Sequence, residues 1–327
     1  LKLQLYFDLM GALAGAEPIY FGEIFAPIIP EINSNLINKD ISLDTRLSSL
    51  TLLVAISKSI PDLMDELFVY VRNTVLFAIE LFEFYDDLEM ISRPSEIYQN
   101  ICENFYDLDQ SEILGKFIPN IQELDSMDNL GAFIAIFMLL DSIQSFCLEA
   151  IIEQFESIQP LFVKGISSGN PYALEIITCL ISNFCQADKS IACNILYTLE
   201  QGLLPYANYD NVIRTLKDIY DFSGKEPTDP SLSFNTLVEQ ITSSQEKYHI
   251  ELSVECLGYL VLNAESVLTN YFEQVHPIIT QLLATNDTSC CASAIFCIST
   301  FASKSANLIK NDIPQIVEVI INGIPEK

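Results

Sequence analysis

Apolar residues recur along this chain with the 3.6-residue period of a helix face. Phe25, Ile28, Ile29 and Ile32 stand at i, i+3, i+4 and i+7, and Val275, Ile278, Ile279 and Leu282 repeat the set with Leu283 at i+8. Ile313, Ile316, Val317, Ile320 and Ile321 give it again. Ile158, Leu161, Phe162 and Ile166 do so with a glycine in the gap. The alternation of a half-buried strand is nearly absent, and no Asn-Gly or Asp-Gly turn sits between alternating runs. The pattern predicts an all-α protein.

A proline stands near the start of each stripe: Pro27, Pro119, Pro160, Pro205, Pro277 and Pro314. A proline in the first turn of a helix costs no hydrogen bond, whereas one further in bends it. Most of these prolines are about 40 residues apart, or about twice that, the length of a HEAT or armadillo helix–turn–helix unit. Each stripe is followed by polar turn residues and a second helix with small residues in its early turns. The turns fall at Asn286-Asp287, at Ser168-Gly169-Asn170-Pro171 and at 125–128, and Asp44 is expected to N-cap another second helix. Dividing the 327 residues by this period predicts an α-solenoid of about eight HEAT-like repeats. It is read as one continuous segment over 1–327, least regular at 84–111 and with an irregular Gly- and Pro-containing loop near 222–233. The absence of an initial Met and of polar outer faces at either end leads us to expect a piece of a longer protein.

Composition removes several classes of function. There are 44 Asp and Glu against 16 Lys and Arg, a formal charge of −28, so direct nucleic-acid binding is not expected. Hydrophobic residues make up 50% of the chain, with 20 Phe and 14 Tyr, which excludes a disordered polymer. The longest uncharged apolar stretch, 129–140, is shorter than the ~20 residues of a membrane span and reads as a buried helix. The nine cysteines lie mostly within apolar helical runs, which fits a reducing compartment and a cytoplasmic or nuclear protein.

Candidate chemistry is sparse. Gly165-Ile166-Ser167-Ser168-Gly169 matches the G-x-S-x-G nucleophile elbow in form, but an elbow needs a preceding strand and a histidine partner. A helical stripe precedes it here, and only His249 and His276 exist. The plain reading is a helix-to-helix turn, and a serine hydrolase using Ser167 is the remote alternative. No Cys-x-x-Cys pair stands ready for zinc, and the acidic run from Asp107 lacks the glycine and final glutamate of a calcium loop. No catalytic residue, metal or cofactor is expected. Acidity on helices remains. Glu149, Glu153 and Glu156 at i, i+4 and i+7 would stack on one face. Glu80, Glu83, Asp86, Asp87 and Glu89 form a second cluster, and Asp62, Asp65 and Glu66 a third. Each cluster is either a solvated face or part of a surface that attracts a basic protein.

Tandem proline-marked helix pairs with Thr45-Arg46 and Val71-Arg72 echoing the HEAT pattern, strong acidity and no catalytic set resemble the importin-β (karyopherin-β) superfamily. The segments 272–302 and 309–321 resemble it most. The resemblance implies a nuclear transport receptor whose second helices bind basic cargo and the GTPase Ran, and whose outer grooves take Phe-Gly repeats of nucleoporins. Another HEAT scaffold or adaptor, such as a phosphatase regulatory subunit or an assembly chaperone without Ran dependence, is the alternative.

Overall fold

The computed structural model describes mainly residues 26–59, 71–85, 96–100, 109–126, 130–264, 268–285 and 287–310. Every regular element among them is a helix. The chain divides into two compact units, Leu1–Leu161 and Phe162–Lys327.

In the first unit α1 (Ile29–Ile37) and α2 (Leu43–Ser59) pack as a pair, and α3 (Val71–Tyr85) lies against α1. The next pair is α4 (Gln110–Ser126) and α5 (Leu130–Glu153), with α5 also touching α3. Asp44 is not the cap of α2. The helix begins one residue earlier, and Ser42 stands at the boundary with its hydroxyl 2.9 Å from Thr45 Oγ1. At 24 residues α5 is long and apolar enough to cross a membrane, unlike the shorter stretch read from the sequence. Most of it is buried inside the unit, however, with Ala132, Ile134, Ile136, Phe137 and Leu139 at 4% exposure or less. Asp141, half-buried on this helix, is met by the Gln144 amide at 2.6 Å, and burial lifts its carboxyl above the usual range.

The boundary between the units falls within α6 (Phe155–Ser167). The second unit continues with α7 (Pro171–Ala187), α8 (Lys189–Thr198), a single turn Glu200–Leu203, a 3-10 turn Leu204–Tyr206 and α9 (Asp210–Ser223). Then come α10 (Pro230–Ser243), α11 (Lys247–Asn263), α12 (Leu268–Leu283) and α13 (Thr288–Lys304). The second helices form one layer, with α7 against α9, α9 against α11 and α11 against α13. First helices form the other, where α10 meets α12 through Phe234 stacked on Tyr271 at 4.6 Å. A helix in such a stack is apolar on more than one side. On α9, Val212, Ile213, Leu216, Ile219 and Tyr220 are all fully buried, each worth about 1.5–3 kcal/mol. This is the all-α solenoid that the periodicity predicts.

Local chemistry sets the turns. Asn170 caps α7 by accepting from the amides of Tyr172 and Ala173 at 3.0 and 3.1 Å, with Pro171 at the first position. Asp188, Asp229 and Asp287 cap α8, α10 and α13 in the same way. Gly224 ends α9 with φ 58°, the left-handed conformation that favours glycine. The prolines depart from the expected positions. Pro160 and Pro277 lie inside α6 and α12, because those helices start earlier, at Phe155 and Leu268. Pro205 sits in the 3-10 turn at the end of a first helix.

Candidate protein-binding surfaces

The acidic cluster beginning at Glu80 does not present a free carboxylate at that position. Arg46, on α2, is 4% exposed and donates through Nη1 and Nη2 to the two Glu80 oxygens at 2.8 and 2.7 Å. Its Nε donates to the Leu36 carbonyl at the end of α1 at 2.8 Å, and its guanidinium lies 4.5 Å from the centre of the Phe77 ring. The Arg46 hydrogen bonds hold the Glu80 carboxyl below the usual range, against the opposing effect of burial. One arginine thus ties α1, α2 and α3 together. Glu83 lies on α3, and its side chain is outside the described residues, as are Asp86, Asp87, Glu89, Asp62, Asp65 and Glu66.

Glu149, Glu153 and Glu156 are all exposed, but they do not share one unbroken helix. Cys147 leaves helical geometry at φ −126°, ψ 22°, and α5 ends at Glu153, so Glu156 belongs to the first turn of α6. The Glu149 amide is accepted by the Gln110 side chain from α4 at 3.1 Å. The expected single face of three stacked carboxylates is therefore replaced by two carboxylates before a break and one after it.

The segment around Ser167 is the turn between α6 and α7. Ser167 is the last residue of a helix, and its hydroxyl donates to the Val163 carbonyl at 2.7 Å. Gly169 provides the reversal at φ 64°. Of the two histidines, His249 is buried and lies between Asp210 Oδ1, at 2.6 Å from Nδ1, and Gln240 Oε1, at 3.3 Å from Nε2. No strand precedes Ser167 among the described residues, so the nucleophile elbow has no counterpart there. Nor do three His, Cys, Asp or Glu side chains among those residues gather as metal ligands would.

Two surfaces escape linear reading. In the first unit, a groove of about 340 Å³ opens between α4, α5 and the start of α6, with Leu114, Ile118, Ile121, Leu140, Ile151 and Leu161 among its lining residues. Polar Gln122, Asp125 and Gln154 also line it. An apolar floor with a few polar groups suits an apolar side chain of a partner. In the second unit, a polar seam links successive second helices. Thr215 donates to the Thr178 carbonyl at 3.1 Å, Arg214 to the Tyr248 hydroxyl at 2.7 Å, and Lys217 approaches Glu255 at 3.6 Å. The partners of each contact lie 34 to 38 residues apart, about one repeat, so only the repeat length hints at the pairing.

The fold is that of a HEAT-type α-solenoid, and it is similar to known karyopherin structures. Kap121p bound to RanGTP matches over 99% of this chain at 14% identity with a TM-score of 0.67. Kap121p bound to Pho4p matches over 98% at 14% identity and 0.61, and the karyopherin Kap121p bound to the extreme C-terminus of the protein phosphatase Cdc14p over 97% at 15% and 0.58. The chain spans about a third of each of those proteins: 34%, 34% and 35% respectively. No protein-family model matches the sequence, and no curated protein does.

Proposed function

We propose that this chain is part of a nuclear transport receptor, a non-catalytic scaffold that binds basic protein cargo and Ran and passes between cytoplasm and nucleus. The similar fold of Kap121p, seen bound to RanGTP, Pho4p and Nup53p, supports a transport-receptor-like scaffold. The groove between α4 and α6 carries the reading furthest. These are first helices of neighbouring pairs, and the apolar floor between them fits the ring of a phenylalanine. A Phe-Gly peptide would seat one ring among Ile118, Ile121 and Leu161 while its glycines let the backbone approach.

Two measurements test it. A Phe-Gly peptide is expected to bind the chain, a Ser-Gly peptide is not, and Ile118→Glu is expected to abolish binding with helix content unchanged. Complete protein containing this chain is expected to retain Ran loaded with GTP and release Ran loaded with GDP. Equal or absent retention in both states overturns the transport reading and leaves a HEAT scaffold of another kind.

A further inference from the structure

The nine cysteines have no framework spacing in the sequence, yet the fold of the first unit brings two of them together. Cys102 and Cys147, about 45 residues or one repeat apart, are both fully buried, and their thiols hydrogen-bond each other. Thiols elsewhere meet other groups. Cys193 meets the Ser223 carbonyl at 3.5 Å, Cys290 the Glu251 carboxylate at 3.6 Å and Cys291 the Thr285 carbonyl at 3.3 Å.

Tertiary packing holds both sides of the contact. Cys102 is helical and follows the helical residues 96–100. There Asn100 Nδ2 donates to Ser57 Oγ on α2 at 2.9 Å, and buried Tyr98 meets Phe117 of α4 edge-on at 6.1 Å. Cys147 sits where α5 leaves helical geometry, with Ile143, Ala150 and Ile151 buried on either side of it. The contact is also asymmetric, because Cys102 donates and Cys147 accepts. That bond lowers the Cys147 thiol against the effect of burial, and it raises the Cys102 thiol together with burial. Cys147 is thus the sulfur that ionises first, and Cys102 the one that follows.

Two thiols in contact are pre-assembled for a disulfide, since the approach of the two side chains otherwise limits which cysteines can be joined. We propose that Cys102 and Cys147 form a reversible disulfide site, closed by a peroxide and opened by a small-molecule thiol, that staples the first unit. The Cys147 thiolate attacks one oxygen of hydrogen peroxide, the O–O bond breaks, and the departing hydroxide takes a proton to become water. The Cys102 sulfur then attacks the Cys147 sulfenic acid at sulfur. The S–S bond forms, the S–O bond breaks, and the hydroxyl leaves with the Cys102 proton as a second water. Two thiols lose two electrons and one peroxide is reduced to two waters. A thiol such as glutathione reverses the step by exchange and itself ends as a disulfide. Because both sulfurs are buried, oxidant reaches them only when the unit opens locally, so closure is slow.

The closed loop holds α4 and most of α5, which supply Leu114, Ile118, Ile121 and Leu140 to the groove. A cross-link across so long a loop restrains the unfolded chain, so oxidation stabilises the unit that carries the groove.

Mass spectrometry of the whole chain carrying Cys179→Ser, which removes the exposed thiol, tests this. Treatment with hydrogen peroxide, then alkylation in denaturant and proteolysis, is expected to yield Cys102 and Cys147 peptides joined with the loss of two hydrogens. Glutathione is expected to separate them again. The oxidised chain is expected to unfold about 5 °C above the reduced one. Cys102→Ser and Cys147→Ser should each abolish the cross-link and the shift. Dimedone, which traps sulfenic acids, should label Cys147 in the first variant and leave Cys102 unlabelled in the second. Other cysteine pairs joining as fast in the folded chain, a Cys102–Cys147 bond that forms only in urea, or closure without a rise in the midpoint overturns the proposal. These three outcomes are read with both thiols in place, so they stand even where a serine variant fails to fold.

Discussion

Arg46 and Glu80 form a two-pronged ion pair, 2.8 and 2.7 Å along its two bonds, whose arginine is buried and whose glutamate is part-exposed. Replacing the carboxylate by an amide removes its charge and one of its two acceptors, leaving the buried guanidinium with a single neutral oxygen beside the Leu36 carbonyl and the Phe77 face. Glu80→Gln is therefore expected to cost about 1–2 kcal/mol, less than a fully buried pair because solvent screens the glutamate side. The sign with pH follows from the lowered carboxyl. The stabilisation is fully present above the ordinary glutamate value of 4.5 and is lost as pH falls through the lower value of the folded state. Urea unfolding of both proteins should show a gap that is constant near neutrality and closes in acid. A gap independent of pH contradicts the pairing.

The turn from α6 to α7 depends on two adjacent residues. Gly169 has φ 64°, and a Cβ there would lie 2.9 Å from the Tyr206 hydroxyl, so Gly169→Ala combines left-handed strain with a clash. It is expected to cost about 1–2 kcal/mol. Asn170→Ala removes the cap of α7 and is expected to cost about 1 kcal/mol. Thermal unfolding of the single and double variants checks both values. A neutral Gly169→Ala would mean that the reversal is made elsewhere.

These turns were readable in advance, and the acidic sites were not, for a physical reason. Caps and reversals are local. Asn170, Asp287 and Gly169 act on amides or dihedrals within three residues, and their side chains or lack of one declare the role. Helical periodicity likewise reports a buried stripe, which is why the all-α solenoid follows from Val275 to Leu283 and its counterparts. The same periodicity misplaced the prolines, because an apolar stripe can begin several residues after its helix does, as it does in α6 and α12. A carboxylate's partner is a tertiary matter. Glu80 looks like one of five acids in a run until Arg46 arrives from 34 residues away. Glu149 and Glu156 look like one face until the helix breaks at a place with no glycine or proline to announce it.

In the layer of second helices Gly258 of α11 packs closely against Phe296 of α13. A Cβ on Gly258 would lie 2.7 Å from the Phe296 ring and 3.3 Å from the Cys297 Cα. Gly258→Ala is expected to cost about 1–3 kcal/mol by overpacking. Phe296→Leu should recover part of that loss, because the ring is the nearer obstacle. A double-mutant cycle in urea measures the coupling, and strict additivity would place the glycine's role elsewhere.

Thiol reactivity reads the same packing by chemistry. Of nine cysteines only Cys179 is exposed; Cys193 and Cys291 are half-buried and six are buried. Burial raises the thiols of Cys185, Cys256 and Cys297 above their ordinary value, which removes the reactive thiolate as well as access to it. Brief treatment with a maleimide should modify one thiol per folded chain, and Cys179→Ser should abolish that fast phase. Several fast thiols would contradict the packing of α7, α9 and α11.

Glu200 makes the opposite pH prediction to Glu80. It is fully buried, and one of its oxygens accepts from the Tyr220 hydroxyl at 2.7 Å and the Ser233 hydroxyl at 2.5 Å, so it links α9 to α10. Its other oxygen has no partner, and burial raises the carboxyl above its ordinary value despite those two donors. The folded state therefore holds a proton that the unfolded chain gives up sooner. Between the ordinary value of 4.5 and the raised one, the folded state binds more protons than the unfolded state, and stability falls as pH rises. Glu200→Gln keeps an acceptor for Tyr220 and Ser233 and cannot ionise. The difference in unfolding free energy between variant and parent should be flat in acid, shift in the variant's favour as pH rises above that ordinary value, and level off beyond the raised one. A difference that does not change with pH would mean that Glu200 titrates alike in both states.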